Sequence, residues 1–147
     1  MGIDGNTTQP SIRVLILCTH NSARSQMAEA LLRRIGGERF DVYSAGTEAT
    51  RVHPLAVRAM ADIGIDISEA RSKHLDEFID DRFDYVITVC DAANEACPVF
   101  PGAPERIHWS FRDPSRAEGT DEERLREFSK VRGEITMRLR TWVQLFG

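Results

Sequence analysis

Two aliphatic runs, Ile12–Leu17 with its single arginine and Tyr85–Val89, have the continuous apolar character of strands covered on both faces of a parallel sheet. Phe40–Ala45 and Ile107–Phe111 are read as companion strands. Between these runs the period changes. Met27, Leu31, Leu32 and Ile35 recur at helical spacing, and Leu55 through Ile63 form a second helical run with Pro54 at its first position and Gly64 to stop it. Thr120-Asp121-Glu122-Glu123 predicts a capping box. The helix it opens carries an apolar stripe of Leu125, Phe128, Val131, Ile135, Leu139, Trp142 and Phe146. Gly133 lies inside that stripe, costs about 1 kcal/mol relative to alanine, and works against an uninterrupted helix.

Strands alternating with helices imply right-handed crossovers and an α/β fold: a single doubly wound parallel sheet flanked by helices. In such sheets ligands collect beyond the carboxyl ends of the strands. Cys18, Cys90 and Asp113 each stand at or just after such an end, so the fold gathers them at one edge. The 147 residues, 41% of them hydrophobic, suffice for one domain with a core, expected over residues 11–147. Residues 1–10 are polar and read as a mobile tail.

A net charge of −4 argues against general nucleic-acid affinity, so any anion must be met by a local site. With no apolar run near the ~20 residues of a membrane span and no charged-then-apolar leader, the expectation is a cytoplasmic protein with no membrane partner. Met1-Gly2 is not followed by a myristoylation pattern, because Asn6 stands where Ser or Thr is required. Three cysteines without a leader favour catalytic or redox use over a disulfide framework. A metal is not expected: there is no C-x2-C, and His20, His53, His74 and His108 lack paired ligand spacing.

The chemistry concentrates in Cys18-Thr19-His20-Asn21-Ser22-Ala23-Arg24-Ser25. A short loop from a strand to a helix N-terminus turns backbone N–H groups toward a tetrahedral anion, and the helix dipole adds positive potential. Arg24 can present its planar fork to two oxygens, and the same field favours a thiolate at Cys18. The plainer reading is a buried strand-end cysteine beside an exposed arginine. Asn21 suits a left-handed backbone. Ser25 is expected both to cap the helix and to donate to the Cys18 sulfur. Asp113-Pro114 fits either a turn initiator or an acid at the site, and Cys90 and Cys97 fit either small buried hydrophobes or a thiol pair.

The run CTHNSARSQMAE resembles the active-site loop of the low-molecular-weight protein tyrosine phosphatases and of the arsenate reductases that share their fold. That resemblance implies a nucleophile at Cys18, oxyanion binding by residues 19–25 with Arg24, and a general acid at Asp113. Thr88-Val89-Cys90 through Cys97-Pro98 is similar to the redox segment of the thioredoxin-coupled reductases, whereas the adjacent tyrosines usual in the phosphatases are replaced by Ser115-Arg116. The implied activity is arsenate reduction through a relay of Cys18, Cys90 and Cys97, with no bound cofactor and an external dithiol such as thioredoxin. Phosphate and sulfate would compete with arsenate, and a monomer is expected. A phosphatase acting on phosphotyrosine or a small phosphoester is the alternative, and a non-catalytic oxyanion or redox sensor is a third reading.

Two departures stand out. Ala23 occupies a position where many thioredoxin-coupled members carry another cysteine. Some members also bind potassium; Asn21, Glu29 and Ser44 match three of its ligands, whereas Lys73 stands at the fourth, either with its ammonium in the cation's place or as an ordinary exposed lysine. Were Asp91–Ala96 helical, Cys90 and Cys97 would lie about 10.5 Å apart along the axis. A disulfide needs roughly 4.4–6.8 Å between Cα atoms, so oxidation must loop the segment out. The small polar interior of that segment suggests that little packing would be lost.

Overall fold

The computed structural model describes residues 11–101 and 105–147, and the tail expected at residues 1–10 lies outside them. Four strands form one parallel sheet: β1 (Ile12–Cys18), β2 (Phe40–Gly46), β3 (Tyr85–Thr88) and β4 (Glu105–His108), in the spatial order β2-β1-β3-β4. The chain leaves β1 to one side to reach β2 and returns across it to β3. That reversal opens a crevice beyond the carboxyl end of β1.

Helix α1 (Arg24–Gly36) joins β1 to β2, α2 (Pro54–Ala61) lies between β2 and β3, and α3 (Asp121–Val143) follows β4. Pro54 occupies the first turn of α2, and Gly64 with φ +80° sits in the turn that follows. The Thr120 hydroxyl accepts from the Glu123 N–H while Glu123 reaches back to the Thr120 N–H, as a capping box requires. α3 runs unbroken through Gly133, because Phe128, Val131, Ile135 and Leu139 around it are all fully buried. Packing outweighs the local cost of the glycine.

Successive residues of β1 point to opposite faces. Val14 and Ile16 join the helices in the larger core cluster, which takes in Met27 and Leu32 of α1, Ala59 and Met60 of α2, and the stripe of α3. Leu15 and Leu17 face a smaller cluster with Phe78, Phe83, Val86 and Phe100. This second face is closed by a short 3₁₀ turn at Leu75–Phe78 and by aromatic side chains rather than by a full helix.

The last strand differs from expectation. It spans Glu105–His108, not Ile107–Phe111, and is an edge strand whose exposed Glu105 and Arg106 hide it from an apolar pattern. Trp109 and Phe111 follow the strand and are buried in the larger core cluster, Trp109 beside Trp142 of α3. The β3–β4 crossover carries no helix among its described residues; it is the segment that holds Cys90 and Cys97. Among the described residues no helix is long and apolar enough to cross a membrane.

At the last rung of the β1–β2 ladder Cys18 pairs with Gly46. A Cβ at position 46 would meet the Thr19 carbonyl oxygen at 2.6 Å, the Asn21 nitrogen at 2.8 Å and the Cys18 carbonyl oxygen at 2.9 Å. Only glycine lets the loop after β1 rest on the end of β2.

Candidate active site

Residues 19–23 carry the chain from β1 to α1. Asn21 has φ +49°, the left-handed backbone expected of a short amide, and is fully buried. Its Nδ2 donates to Ser25 Oγ at 2.8 Å and Ser44 Oγ at 2.9 Å. Its Oδ1 accepts from the Lys73 N–H at 2.8 Å and from Gln26 Nε2 at 2.9 Å. Three loop carbonyls are taken up by groups outside the pocket lining: Thr19 accepts from the Glu48 N–H, Asn21 from Gln26, and Ser22 from the His53 N–H. In a planar trans peptide the following N–H points the opposite way. The N–H groups of His20, Ser22 and Ala23 therefore face a pocket of about 280 Å³ that these residues line together with Cys18, Arg24, Thr50, Asp113 and Ser115.

Cys18 is a free thiol, 2% exposed, at the pocket floor. Ser25 Oγ lies 2.8 Å from its sulfur. The capping role expected of Ser25 is corrected: Ala23 is the N-cap of α1, makes no side-chain cap bond, and leaves Ser25 within the first turn. An alanine cannot accept from the first N–H groups, so these stay available to an anion.

Arg24 is 3% exposed. Its Nη1 donates to the Phe111 carbonyl at 3.0 Å and to Glu95 Oε2, and its Nη2 donates to Glu95 Oε1 at 2.9 Å. Burial opposes the charge of Arg24, but Glu95, the Cys18 sulfur and Asp113 outweigh it and raise its pKa. Burial opposes the Glu95 charge too. Bonds from Arg24, the Asp91 N–H at 2.9 Å and the Thr19 hydroxyl at 2.8 Å override that and bring its pKa down to about 2. Asp113 opens the turn expected of its Asp-Pro pair and also lines the pocket. Its Oδ1 accepts from the Ser115 N–H at 2.9 Å and hydroxyl at 2.7 Å, starting a 3₁₀ turn at Pro114–Arg116, while its Oδ2 stands 3.7 Å from Arg24 Nη2.

Cys90 and Cys97 form a disulfide with Cα atoms 5.9 Å apart, far closer than a helical segment would hold them. The intervening chain is looped, with the N–H groups of Asn94 and Glu95 both donating to the Asp91 carbonyl. Neither cysteine lines the pocket; the segment touches Arg24 of its lining through Glu95. The expectation that this interior has little to lose is corrected by those contacts. Glu95 escaped sequence reasoning because its partner Arg24 is 71 residues away. The available signal was that a buried arginine needs a counter-charge. Ser115, Thr50 and Gly46 were likewise missed, since their roles depend on loop-to-loop contact.

The cation-site equivalents lie behind the loop. Ser44 Oγ donates to Glu29 Oε1, Arg33 Nη1 pairs with Glu29 Oε2 at 2.7 Å, and Lys73 Nζ lies 3.9 Å from Glu29 Oε1 while donating to the Arg71 carbonyl at 2.9 Å. Burial, only partly offset by Glu29, lowers the Lys73 pKa.

Comparison with known proteins agrees with this geometry. Residues 13–146 match the low molecular weight phosphotyrosine protein phosphatase family. An arsenate reductase of Halalkalibacterium halodurans is 49% identical over 131 residues, covering 89% of this chain and 94% of that protein. The solved structure of an arsenate reductase in the phosphate binding state superposes with a TM-score of 0.74 at 32% identity, covering 92% of this chain and 99% of the other. A thioredoxin-dependent arsenate reductase of Corynebacterium glutamicum gives 0.65 at 33% identity, over 96% of this chain and 66% of its own. The strand order, the Cys18–Arg24 loop and these likenesses lead to one assignment: the chain belongs to the low molecular weight phosphotyrosine protein phosphatase family.

Proposed function

We infer that this protein is an arsenate reductase that works by a disulfide relay. The observation that carries the reading is the pairing of a free Cys18 with a closed Cys90–Cys97 disulfide, the state in which such a relay ends. The arsenate reductases among its relatives support it.

Arsenate enters the loop of residues 19–25, meeting the N–H groups of His20, Ser22 and Ala23 and the fork of Arg24. The Cys18 thiolate attacks arsenic, and Asp113 protonates the departing oxygen, which leaves as water. Cys90 then attacks the Cys18 sulfur. The electron pair of the sulfur–arsenic bond passes to arsenic, As(V) becomes As(III), arsenite leaves, and a Cys18–Cys90 disulfide remains. Attack of Cys97 on Cys90 releases the Cys18 thiolate and forms the Cys90–Cys97 disulfide. An external dithiol, for which thioredoxin is the candidate by likeness to the Corynebacterium enzyme, reduces that bond. Lys73 supplies behind the loop the positive charge that a potassium ion provides in some relatives.

The test is arsenite production from arsenate with thioredoxin, its reductase and NADPH, run beside hydrolysis of an aryl phosphate. Arsenite formation in step with NADPH consumption is expected. Aryl phosphate turnover without thioredoxin-dependent arsenite would replace the reading with a phosphatase.

A further inference from the structure

Arg24, the cation of the pocket, is bound face to face by a carboxylate that the redox segment carries. Glu95 takes the Nη1–Nη2 edge of the guanidinium, sharing Nη1 with the Phe111 carbonyl, and its second oxygen accepts from the Asp91 N–H at the start of its own loop. Thr19, the first residue of the anion-binding loop, donates to the same carboxylate. Glu95 does not line the pocket. It leaves the space open while answering the charge that would hold a dianion there.

This arrangement depends on the closed loop. The disulfide draws the ends of the segment to 5.9 Å, and from that turn the Glu95 carboxylate reaches the Asp91 N–H, the Thr19 hydroxyl and the Arg24 guanidinium at once. A relay in which Cys90 travels to Cys18 must open that turn, and a helical segment would set its ends about 10.5 Å apart. The carboxylate cannot keep all four of these bonds through such a change.

We propose that Glu95 is a positioning residue that couples redox state to oxyanion affinity: with Cys90–Cys97 closed it neutralises Arg24 and weakens oxyanion binding, and reduction of the disulfide withdraws it. The inference rests on the relay reading of Cys90 and Cys97. Its chemical sense is order. An oxidised molecule has a free Cys18 but no thiol able to reduce a Cys18–arsenate adduct, so weak binding in that state keeps the nucleophile unoccupied until the external dithiol has acted.

Inorganic phosphate, which cannot be reduced, is the probe. The full chain is titrated calorimetrically with its Cys90–Cys97 bond closed, verified by peptide mapping, and again after reduction by a phosphine. The oxidised form is expected to bind phosphate about tenfold more weakly than the reduced form, the size of change one nearby neutralising charge can bring. Glu95→Gln should tighten the oxidised form and bring the two states within about twofold. Glu95→Asp, which pulls the carboxylate back by one methylene, should fall between, and serves if Glu95→Gln folds poorly. Equal phosphate affinity in the two states of the unmodified chain would overturn the proposal. So would weaker binding by oxidised Glu95→Gln, which would make Glu95 an aid to binding. Phosphate affinity requires no turnover, so this test and the arsenite assay can fail independently.

Discussion

Ser25 Oγ stands 2.8 Å from Cys18 Sγ and accepts the Asn21 amide at the same distance, so that when Cys18 is a thiolate the hydroxyl proton is free to turn to the sulfur. A hydroxyl donating to a thiolate favours the charged, nucleophilic form. Ser25→Ala should therefore slow iodoacetamide alkylation of Cys18 at neutral pH, with the melting temperature little changed. An unaltered alkylation rate would leave Ser25 a packing role only.

Asp113→Asn keeps the shape of the carboxylate and its acceptance from Ser115 through the amide oxygen, but has no proton to give. The rate of arsenate reduction should fall by about 10²–10⁴ while phosphate affinity is maintained. A near-parental rate with an unchanged pH profile would assign the acid elsewhere.

Cys97→Ser removes the last thiol of the relay. With arsenate and no thioredoxin it should release about one arsenite per protein and stop as a Cys18–Cys90 disulfide. The unmodified chain should accumulate Cys90–Cys97 instead. Non-reducing peptide maps of both products decide the order, and sustained thioredoxin-dependent turnover by Cys97→Ser would break it.

The Arg24–Glu95 pair also sets an acid limit. Glu95 has its pKa depressed from 4.5 to about 2, so its contribution to stability is complete above the ordinary value and is lost as pH falls through the folded one. Melting temperature should drop between about pH 5 and about pH 2, and Glu95→Gln should flatten part of that fall. An equally steep fall in Glu95→Gln would place the acid sensitivity on other carboxylates.

Gly133→Ala is expected to stabilise. A Cβ there meets nothing within 4 Å, and the helix around it is regular, so the gain is about 1 kcal/mol by chemical denaturation. Destabilisation would mean that the glycine has a packing role.

What could be read from the chain follows from how local each signal is. The capping box at Thr120, the Pro54 start of α2 and the Cys18–Arg24 loop are short-range patterns, and each stands where the sequence puts it. β4 was misjudged because an edge strand need not be apolar, whereas Trp109 and Phe111 owe their burial to neighbouring elements. Ser25 stands two positions past the cap, since a cap depends on where the helix begins rather than on which residues are present. Glu95 was invisible for a different reason. Its partners Thr19 and Arg24 lie more than seventy residues earlier, and only the sheet order and the closed loop bring them within reach.

The Cys18–Gly46 rung has a practical consequence. A strand slipped by one residue would set a side chain under the loop where Gly46 now lies, and the loop could not take the shape that presents its N–H groups. Misregistered molecules would thus be silent rather than sluggish. Titrating Cys18 with a substrate-like oxyanion present would count correctly threaded chains in a preparation, making the nucleophile a gauge of the sheet as well as of the chemistry.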